Sequence, residues 1–598
     1  MKAGLTGKRE GEKGAAMVMA LMISFLLLAA SAALLLESSL NTQNVSDITA
    51  EQQAYNAAES GIQSAVNVLR GNVSPSPLID PTKPATDPAN KISFVKALNA
   101  ATSNVSGDTS ASPRLSRWLT YDPTCTDRVV LGSSGCGVTG NYGFSVTVSD
   151  PDNTGSSVSF STTGRFFDAD ADVTQKTYGS NGNTLLVKYT GTTQNDLNVS
   201  GGPGATNFGT FTLTQGGSGA AIVAFNRFEI QIHMTKPYNE TRVIRGYIET
   251  TSAGNPPKII FDAQTFTLQG SVMTLNFSWG LPSNQSITGP PQRYGYEATT
   301  SFGSSGNIIT GTIGSPEPLR LRVQSTGYGP RGAKKLLEVI IQKDSFNGLL
   351  APATLTLVGP TSTTNPASTF NFNPGSSNVM VYSGDDVVST DIIPPIGVTN
   401  PSNLNAVETS VSGQPPHPFN GTVIGSPSDV TPETPDWLVS PAAMDATIKG
   451  LANVAMSSGA FYPSGTTPTS FGNNTTGRGI TFCDGDCSFT GNGGGILVVT
   501  GTLTLRGNFS FNGMIIVTGA GGVTRSGGGN GTIQGNMVVA PYVGNRIQDN
   551  VEPAANATFL APQYDLSGGG NSTVVYNSQT VGNGLVAVSN YVLGVVEK

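Results

Sequence analysis

The most constraining feature of this chain is an uncharged apolar run near its start. Residues 15–36 contain 22 residues without a single charge, and only Ser24 and Ser31 interrupt the apolar side chains. About 20 residues in a helix, rising 1.5 Å each, cross a hydrocarbon core of roughly 30 Å. The run is therefore long enough to span a membrane.

The residues before the run set the expected topology. Four basic residues stand there against two acidic ones: Lys2, Lys8, Arg9 and Lys13 against Glu10 and Glu12. A positive excess keeps a short leader cytoplasmic and sends the rest of the chain outward. We expect a cytoplasmic leader at 1–14 and a single-pass anchor in the inner membrane. Two alternatives remain, a plain bitopic anchor and a signal peptide cleaved after the A-x-A match at residues 30–32.

The helical pattern continues beyond the apolar run. Apolar and aromatic residues recur at spacings of three and four, which places them on one helix face: Tyr55, Ala58, Ile62, Ala65, Val66 and Leu69. No proline occurs between Met1 and Arg70, so one continuous helix is possible. Gly61 is a weak point in this helix, worth about 1 kcal/mol against alanine. The sequence predicts one long helix over 15–70, apolar first and amphipathic later.

Three segments carry a family resemblance: residues 12–18 (EKGAAMV), the apolar run, and residues 51–61 (EQQAYNAAESG). Together they resemble the N-terminal domain of the PilX family of type IV pilus assembly proteins, which are minor pilins. The resemblance implies cleavage by prepilin peptidase between Gly14 and Ala15, and assembly with other pilins and the pilus assembly machinery at the cell surface. Met19 stands at the fifth position after that bond, where major pilins carry a glutamate.

Composition narrows the class of function. Charged residues make up 12% of the 598, glycine accounts for 74, and the net charge is −7. This gives no basic surface for nucleic acid. Only two histidines occur, His233 and His417, which leaves little material for histidine catalysis or zinc binding. No G-x-S-x-G, P-loop or H-E-x-x-H motif is present. We expect a non-enzymatic protein with no cofactor and no metal.

The middle of the chain predicts β structure between irregular segments. We expect a linker at 71–120 with a short helix near 92–100, a first β module at 121–252, a second at 253–345, and a β/irregular segment at 346–435. Alternating strands at 142–148 and 228–234 favour an antiparallel sandwich or a pilin-like sheet. Residues 325–330 (STGYGP) resemble a turn found in large PilX-type proteins. A short helix is expected at 436–458, capped by Ser440 with Pro441 in its first turn.

A six-residue repeat marks the last third. Five glycines stand six residues apart, and the third and fifth positions of each unit are apolar: Gly495, Gly501, Gly507, Gly513 and Gly519. Gly535, followed by Met537 and Val539, looks like a further rung. Short fixed periods are typical of β-solenoids. We predict a short parallel β-helix at 475–545 and a C-terminal β/tail segment at 546–598, with an antiparallel meander as the alternative. The predicted fold class is mainly β with one long N-terminal α-helix, β-sandwich-like modules and this C-terminal solenoid.

The four cysteines form two local pairs, Cys125 with Cys136 and Cys483 with Cys487. An exported chain meets an oxidising compartment, so two disulfides are expected, although four cysteines permit three connectivities. Residues 168–172 (DADAD) begin like a calcium loop. They lack its glycine at the sixth position and its glutamate at the twelfth, so a solvated acidic turn is expected.

These observations favour a non-enzymatic minor-pilin-like component that presents a large extracytoplasmic β-rich domain. The first alternative is a surface adhesin, in which the helix only anchors a solenoid that binds an unknown surface ligand. The second is an anchored polysaccharide-active β-helix enzyme, for which no carboxylate pair can be assigned.

Overall fold

The computed structural model describes most of the chain. The described residues are 12–75, 78–85, 90, 92–99, 115, 118–119, 128–131, 142–166, 174–180, 182–200, 202–217, 226–249, 257–261, 265–268, 271–275, 279–280, 296–298, 300–318, 320–342, 349–362, 369–375, 380–389, 391–412, 427–588 and 592–597. Within them the protein is mainly β, with one long N-terminal helix, as predicted.

Five α-helices lie within the described residues. They are α1 (Glu12–Leu69), α2 (Phe94–Leu98), α3 (Leu404–Ser412), α4 (Pro441–Ser457) and α5 (Ser578–Val588). The predicted cap of α4 is confirmed, since Ser440 Oγ accepts a hydrogen bond from the Ala443 amide at 3.2 Å and Pro441 occupies the first turn. Ser93 caps α2 in the same way, which confirms the short helix expected there.

The strands of the described residues are numbered here in chain order. The first two are β1 (Val129–Val130) and β2 (Gly143–Ser149). Thirteen follow: β3 (Ser157–Phe166), β4 (Gln175–Ser180), β5 (Asn183–Thr190), β6 (Thr193–Asn198), β7 (Gly204–Gly216), β8 (Asn226–Lys236), β9 (Glu240–Glu249), β10 (Lys258–Phe261), β11 (Thr265–Leu268), β12 (Ser271–Leu275), β13 (Trp279–Gly280), β14 (Tyr296–Ala298) and β15 (Gly303–Ile313). Next come β16 (Arg320–Tyr328) and β17 (Lys334–Gln342).

The remaining strands belong to the last part of the chain. They are β18 (Leu355–Leu357), β19 (Asn371–Asn373), β20 (Met380–Ser383), β21 (Ile396–Val398), β22 (Ser428–Asp429), β23 (Phe461–Pro463), β24 (Ile480–Asp484), β25 (Cys487–Val499), β26 (Leu503–Val517), β27 (Val523–Ser526), β28 (Asn530–Val539), β29 (Gln563–Asp565), β30 (Asn571–Val575) and β31 (Val592–Glu597).

A five-stranded antiparallel sheet, here called the head sheet, receives α1. Its order is β1-β2-β16-β17-β31, so it joins strands that are far apart in sequence. The chain enters it at β1 and β2, leaves for β3–β15, returns at β16 and β17, leaves again for β18–β30, and closes it with β31. The strands of the other sheets thus form two insertions into one helix-and-sheet unit.

The first insertion consists of two antiparallel sheets that share one apolar core. The seven-stranded sheet has the order β13-β14-β10-β9-β8-β3-β6, and the six-stranded sheet has the order β11-β12-β15-β7-β5-β4. This division differs from the expected modules at 121–252 and 253–345. Strands β9 and β10 pair across the expected boundary, and β2 pairs with β16 outside both sheets, because long-range pairing rather than chain order groups the strands.

The second insertion, here called the parallel stack, is built from parallel strand pairs. Gly495 pairs with Gly513, and Gly513 pairs with Gly535. Gly495 and Gly513 are 18 residues apart in sequence, which equals three of the six-residue units. The antiparallel meander is wrong, because β24, β25, β26 and β28 all pair in parallel. Gly513 has a φ of +146°, and a side chain there would overlap Gly495, which explains why glycine recurs at this position.

The stack extends well beyond the predicted 475–545. Strand β18 continues the column of β28, β21 and β22 follow it, and β29 and β30 pair with β27 and β28. The segments expected at 346–435 and 546–598 therefore supply strands to the same stack. Its inner core contains the apolar positions of the repeat, including Leu497, Val499 and Phe511. A second core lies between the stack and helices α4 and α5.

Candidate membrane-anchoring helix and its docking site

The two halves of α1 differ sharply in how far the rest of the protein buries them. Residues 14–45 are exposed, and among the described residues no part of the apolar window is covered by the rest of the protein. From Ala50 onward, one face is buried against the head sheet. Of the described helices, α1 is the one that is long and apolar enough to cross a membrane. At 58 residues it is about 87 Å long, which is enough to cross a bilayer and still reach the sheet.

The docked half uses the face that the sequence predicted. Ala58, Ile62, Ala65, Val66 and Leu69 are buried, and Tyr55 packs at the margin of the same core. Burying a valine, leucine or isoleucine side chain contributes about 1.5–3 kcal/mol. The apolar residues of 15–36 have no such cover, so this segment needs lipid or another protein around it.

The close approach of α1 to the head sheet depends on two glycines, Gly327 in β16 and Gly329 directly after that strand. A Cβ on Gly327 would overlap the Ala54 carbonyl oxygen and lie 2.5 Å from the Ala58 amide nitrogen, and one on Gly329 would overlap the Ala50 carbonyl oxygen. The segment STGYGP was expected to be a turn, but most of it is strand. Residues 325–328 pair with both β2 and β17, and the turn follows at Pro330–Gly332. Its glycines remove side chains where α1 crosses.

Gly61 of α1 faces the same sheet. A Cβ there would overlap Ser325 Oγ and come within 2.8 Å of the Phe144 ring. The residue that weakens the helix by propensity is thus needed where the helix meets the sheet. At the rim, Asp47 pairs with Arg331 at 3.2 Å and Glu51 with Lys335 at 3.5 Å. These ion pairs are well exposed and contribute about 0–1 kcal/mol each.

The residues of the expected processing site lie in the exposed part of α1. Gly14 and Ala15 are both exposed, and a Cβ on Gly14 would meet nothing within 4 Å. Met19 is 62% exposed. The Gly14–Ala15 bond is therefore within reach of another protein, and Gly14 weakens the first turn of the helix by about 1 kcal/mol relative to alanine.

The cysteine prediction is corrected for one pair. Cys483 and Cys487 are buried free thiols at the corner between β24 and β25, so the expected disulfide is not formed in the structure. A hydrogen bond with Cys487, followed by burial, raises the pKa of the Cys483 thiol well above its ordinary value. Cys125, Cys136 and residues 168–172 lie outside the described residues.

His233 contacts a side chain of the neighbouring strand, which indicates a structural role. Its Nδ1 lies 3.0 Å from the Thr241 hydroxyl on the neighbouring strand, and His417 lies outside the described residues. Among the described residues, no group of three or more His, Cys, Asp or Glu side chains could hold a metal ion.

A second candidate surface runs up one side of the parallel stack. Outward-facing polar side chains of successive strands form a column, here called the polar column: Ser488, Thr504, Thr524, Asp565 and Asn373. The hydroxyls of Thr504 and Thr524 are 3.3 Å apart. With strands about 4.8 Å apart, five positions span roughly 19 Å.

The sequence reading missed a repeat beside this column. The segment SGGGN occurs at 526–530 and again at 567–571, and Asn530 pairs with Asn571 at the start of two parallel strands. The guanidinium of Arg525 donates to the carbonyl oxygens of Gly529 at 2.6 Å and Asn571 at 2.9 Å, which fastens the two segments together. A search for exact five-residue repeats would have found them.

No family model, curated protein or solved structure matches this chain.

Proposed function

We propose that this chain is a non-enzymatic, minor-pilin-like component of type IV pilus assembly. The observation that supports this proposal most strongly is the form of α1. It is a single helix whose first half is apolar and fully exposed and whose second half docks on an antiparallel sheet. A pilin needs both parts, because the exposed half is held in the membrane before assembly and packs among other subunits afterwards. The resemblance of residues 12–18 and 51–61 to PilX-type proteins supports the same function.

In this proposal the leader 1–14 is cytoplasmic, and prepilin peptidase cuts between Gly14 and Ala15. The partners are the inner membrane, other pilins and the assembly machinery. The ectodomain is carried to the pilus or cell surface. Its first insertion is a β-sandwich-like module, and its second is a three-sided β-solenoid, which is supported by three columns of parallel strand pairs.

N-terminal sequencing of the mature protein tests this function. We expect a start at Ala15, and a mobility shift on Western blots when prepilin peptidase is deleted. Gly14→Ala should block processing, whereas Gly11→Ala, another leader glycine, should leave it intact. A mature start at Met1 indicates a plain anchor, and a start near Ala33 indicates a cleaved signal peptide. Either result would contradict the proposal.

A second candidate function, a surface adhesin, is favoured by the polar column. An open row of hydroxyl, amide and carboxylate groups at strand spacing is a surface that a polar polymer can contact. Thr504→Arg with Thr524→Arg places two long cations in the row without touching the inner core. Loss of surface attachment with fibres still assembled would support an adhesin, and unchanged attachment would count against it.

A further inference from the structure

Three charged side chains lie side by side across the seven-stranded sheet. Glu229 of β8 is the register partner of Arg165 on β3 and of Arg245 on β9. Directly paired residues of neighbouring strands point to the same face, so the row reads Arg-Glu-Arg. In water, a carboxylate between two guanidiniums is strongly favoured in its ionised form.

The end of the parallel stack covers this row, and the contact between them is here called the joint. Asp429 of β22 pairs with Arg165 at 3.1 Å. Glu433, in the short 3-10 turn Thr431–Glu433, accepts from Arg245 at 2.8 Å and from the Val243 amide at 2.9 Å. The stack thus brings two carboxylates onto a sheet that already holds one.

A neighbouring ion pair extends the joint. Arg242 of β9 pairs with Asp391 at 3.2 Å and donates to the Ile392 carbonyl oxygen at 2.8 Å. Within the described part of the chain, the charged groups that surround Glu229 from the packed elements are Arg165, Arg245, Asp429 and Glu433, with Arg242 and Asp391 next to them.

Charge is not balanced around Glu229 when the joint is closed. Arg242 also lies 4.0 Å from Glu433, so three guanidiniums face four carboxylates among the described residues and one carboxylate is in surplus: Arg165, Arg242 and Arg245 against Glu229, Asp391, Asp429 and Glu433. Glu229 is 1% exposed, its Oε1 lies 3.4 Å from Arg245 Nε, and its Oε2 has no hydrogen-bond partner among the described residues. A buried carboxylate with one long ion pair is costly while it remains ionised.

We propose that closure of the joint is coupled to protonation of Glu229, so that the parallel stack docks more tightly on the seven-stranded sheet in acid than in alkali. With the stack removed, Glu229 lies between two arginines in water and stays ionised. With the stack docked, it is desolvated beside two further carboxylates, and the neutral acid is favoured. The joint therefore takes up a proton when it closes.

The direction of the pKa agrees with this geometry. Burial is the largest effect and raises the pKa of Glu229 to about 7, with Glu433 and Asp429 acting in the same direction and Arg245 and Arg165 against it. The docked form therefore binds more protons between the ordinary value of 4.5 and about 7. Protonation of Glu229 therefore stabilises the docked form fully below its ordinary pKa of 4.5. This stabilisation is lost as the pH rises through about 7, the pKa of Glu229 in the docked form. Burial also raises the pKa of Asp391, which adds to the same trend.

Hydrogen-exchange protection factors of the full-length protein in detergent test the coupling. Protection factors correct for the intrinsic effect of pH on exchange, and the relevant peptides cover β9 and residues 427–433. One coupled proton changes the docking constant by at most about tenfold per pH unit. We expect wild-type protection at the joint to fall between pH 5 and 8, and Glu229→Gln to keep it high and nearly constant.

Glu338→Gln is the matched control. Glu338 is also a buried glutamate on a strand, with an arginine, Arg322, at the same 3.4 Å, but it lies in the head sheet. This variant should retain the wild-type pH dependence at the joint. Constant protection in the wild type, or the same pH dependence in Glu229→Gln, would overturn the proposal.

A second variant keeps the proposal testable if Glu229→Gln does not fold. Glu433→Gln removes one of the two carboxylates that the stack brings, so the protection transition should move to lower pH. An unchanged midpoint would overturn the coupling. Infrared spectra supply an independent readout, since the protonated-carboxyl band of the wild type at pH 6 should lose intensity in Glu229→Gln.

Discussion

Gly327 of β16 lies so close to α1 that a side chain on it would overlap the carbonyl oxygen of Ala54. The contact joins the long N-terminal helix to the middle of the head sheet, between strands β2 and β17. The helix can approach this closely because Gly327 has no side chain and the facing residues of α1 are small. This relationship fixes where the exposed, apolar half of α1 leaves the rest of the protein.

Gly327→Ala is expected to loosen α1 from the head sheet. The added methyl group meets helix backbone, which cannot move aside as a flexible side chain could, so the free energy of unfolding should fall by about 2–4 kcal/mol. Denaturant unfolding of the detergent-solubilised protein measures the change. Gly528→Ala is the control, because a Cβ there meets nothing within 4 Å. Equal stability of the two variants would contradict the packing argument.

Gly61→Ala tests packing against helix propensity. In an isolated helix this change stabilises by about 1 kcal/mol. Here the new Cβ overlaps Ser325 Oγ and crowds Phe144, so we expect a net loss of stability. Ser325→Gly removes the overlapping atom and should recover part of the loss in the double variant, which a double-mutant cycle measures. A stabilised single variant would show that propensity dominates.

Asp484→Ala is expected to destabilise the parallel stack by about 3 kcal/mol, because it leaves buried donors without an acceptor. Asp484 is fully buried, and its carboxylate accepts from the Thr500 hydroxyl at 2.9 Å and from the amides of Ile547 and Gln548 at 2.9 and 2.8 Å. Thermal unfolding measures the change. Asp486→Ala, which removes an exposed acceptor of the Thr502 amide, should cost much less. Similar losses for both variants would contradict this assignment.

The two thiols at the β24–β25 corner should react slowly. Cys483 and Cys487 are each 3% exposed, and the raised pKa of Cys483 suppresses its thiolate. In protein purified under reducing conditions, we expect alkylation at pH 8 to be at least roughly 100-fold slower in the native state than after unfolding. Mass spectrometry of peptides covering 480–490 follows the reaction. Native labelling at the unfolded rate would show that the corner is open.

Local patterns in the sequence predicted several elements well. The proline-free spacing from Tyr55 to Leu69 identified the buried face of α1, and Ser440 with Pro441 identified the start of α4. The glycine period identified residues that stack in register, as Gly495, Gly513 and Gly535 do. Each of these patterns reflects interactions over a few residues or one fixed repeat, which a single sequence displays directly.

The grouping of strands was not predictable in the same way. Nothing local in residues 592–597 indicates that they pair with β17, more than 250 residues earlier, and nothing around Leu355 indicates that it continues the column of Met537. The Arg165–Glu229–Arg245 row was missed for the same reason. Each of these residues looks like an ordinary exposed charge on an alternating strand until its neighbours are known.

By itself the sequence determined a mainly β protein with one long apolar-then-amphipathic helix. Charge, hydropathy period and the absence of proline are properties of neighbouring residues, so they need no knowledge of the fold. Only the tertiary structure decided that the β strands form two insertions into one helix-bearing sheet, that Gly61 and Gly327 are contact points, and that Glu229 is buried among other charges. These depend on which distant segments pair, and pairing is set by the summed packing of the whole chain.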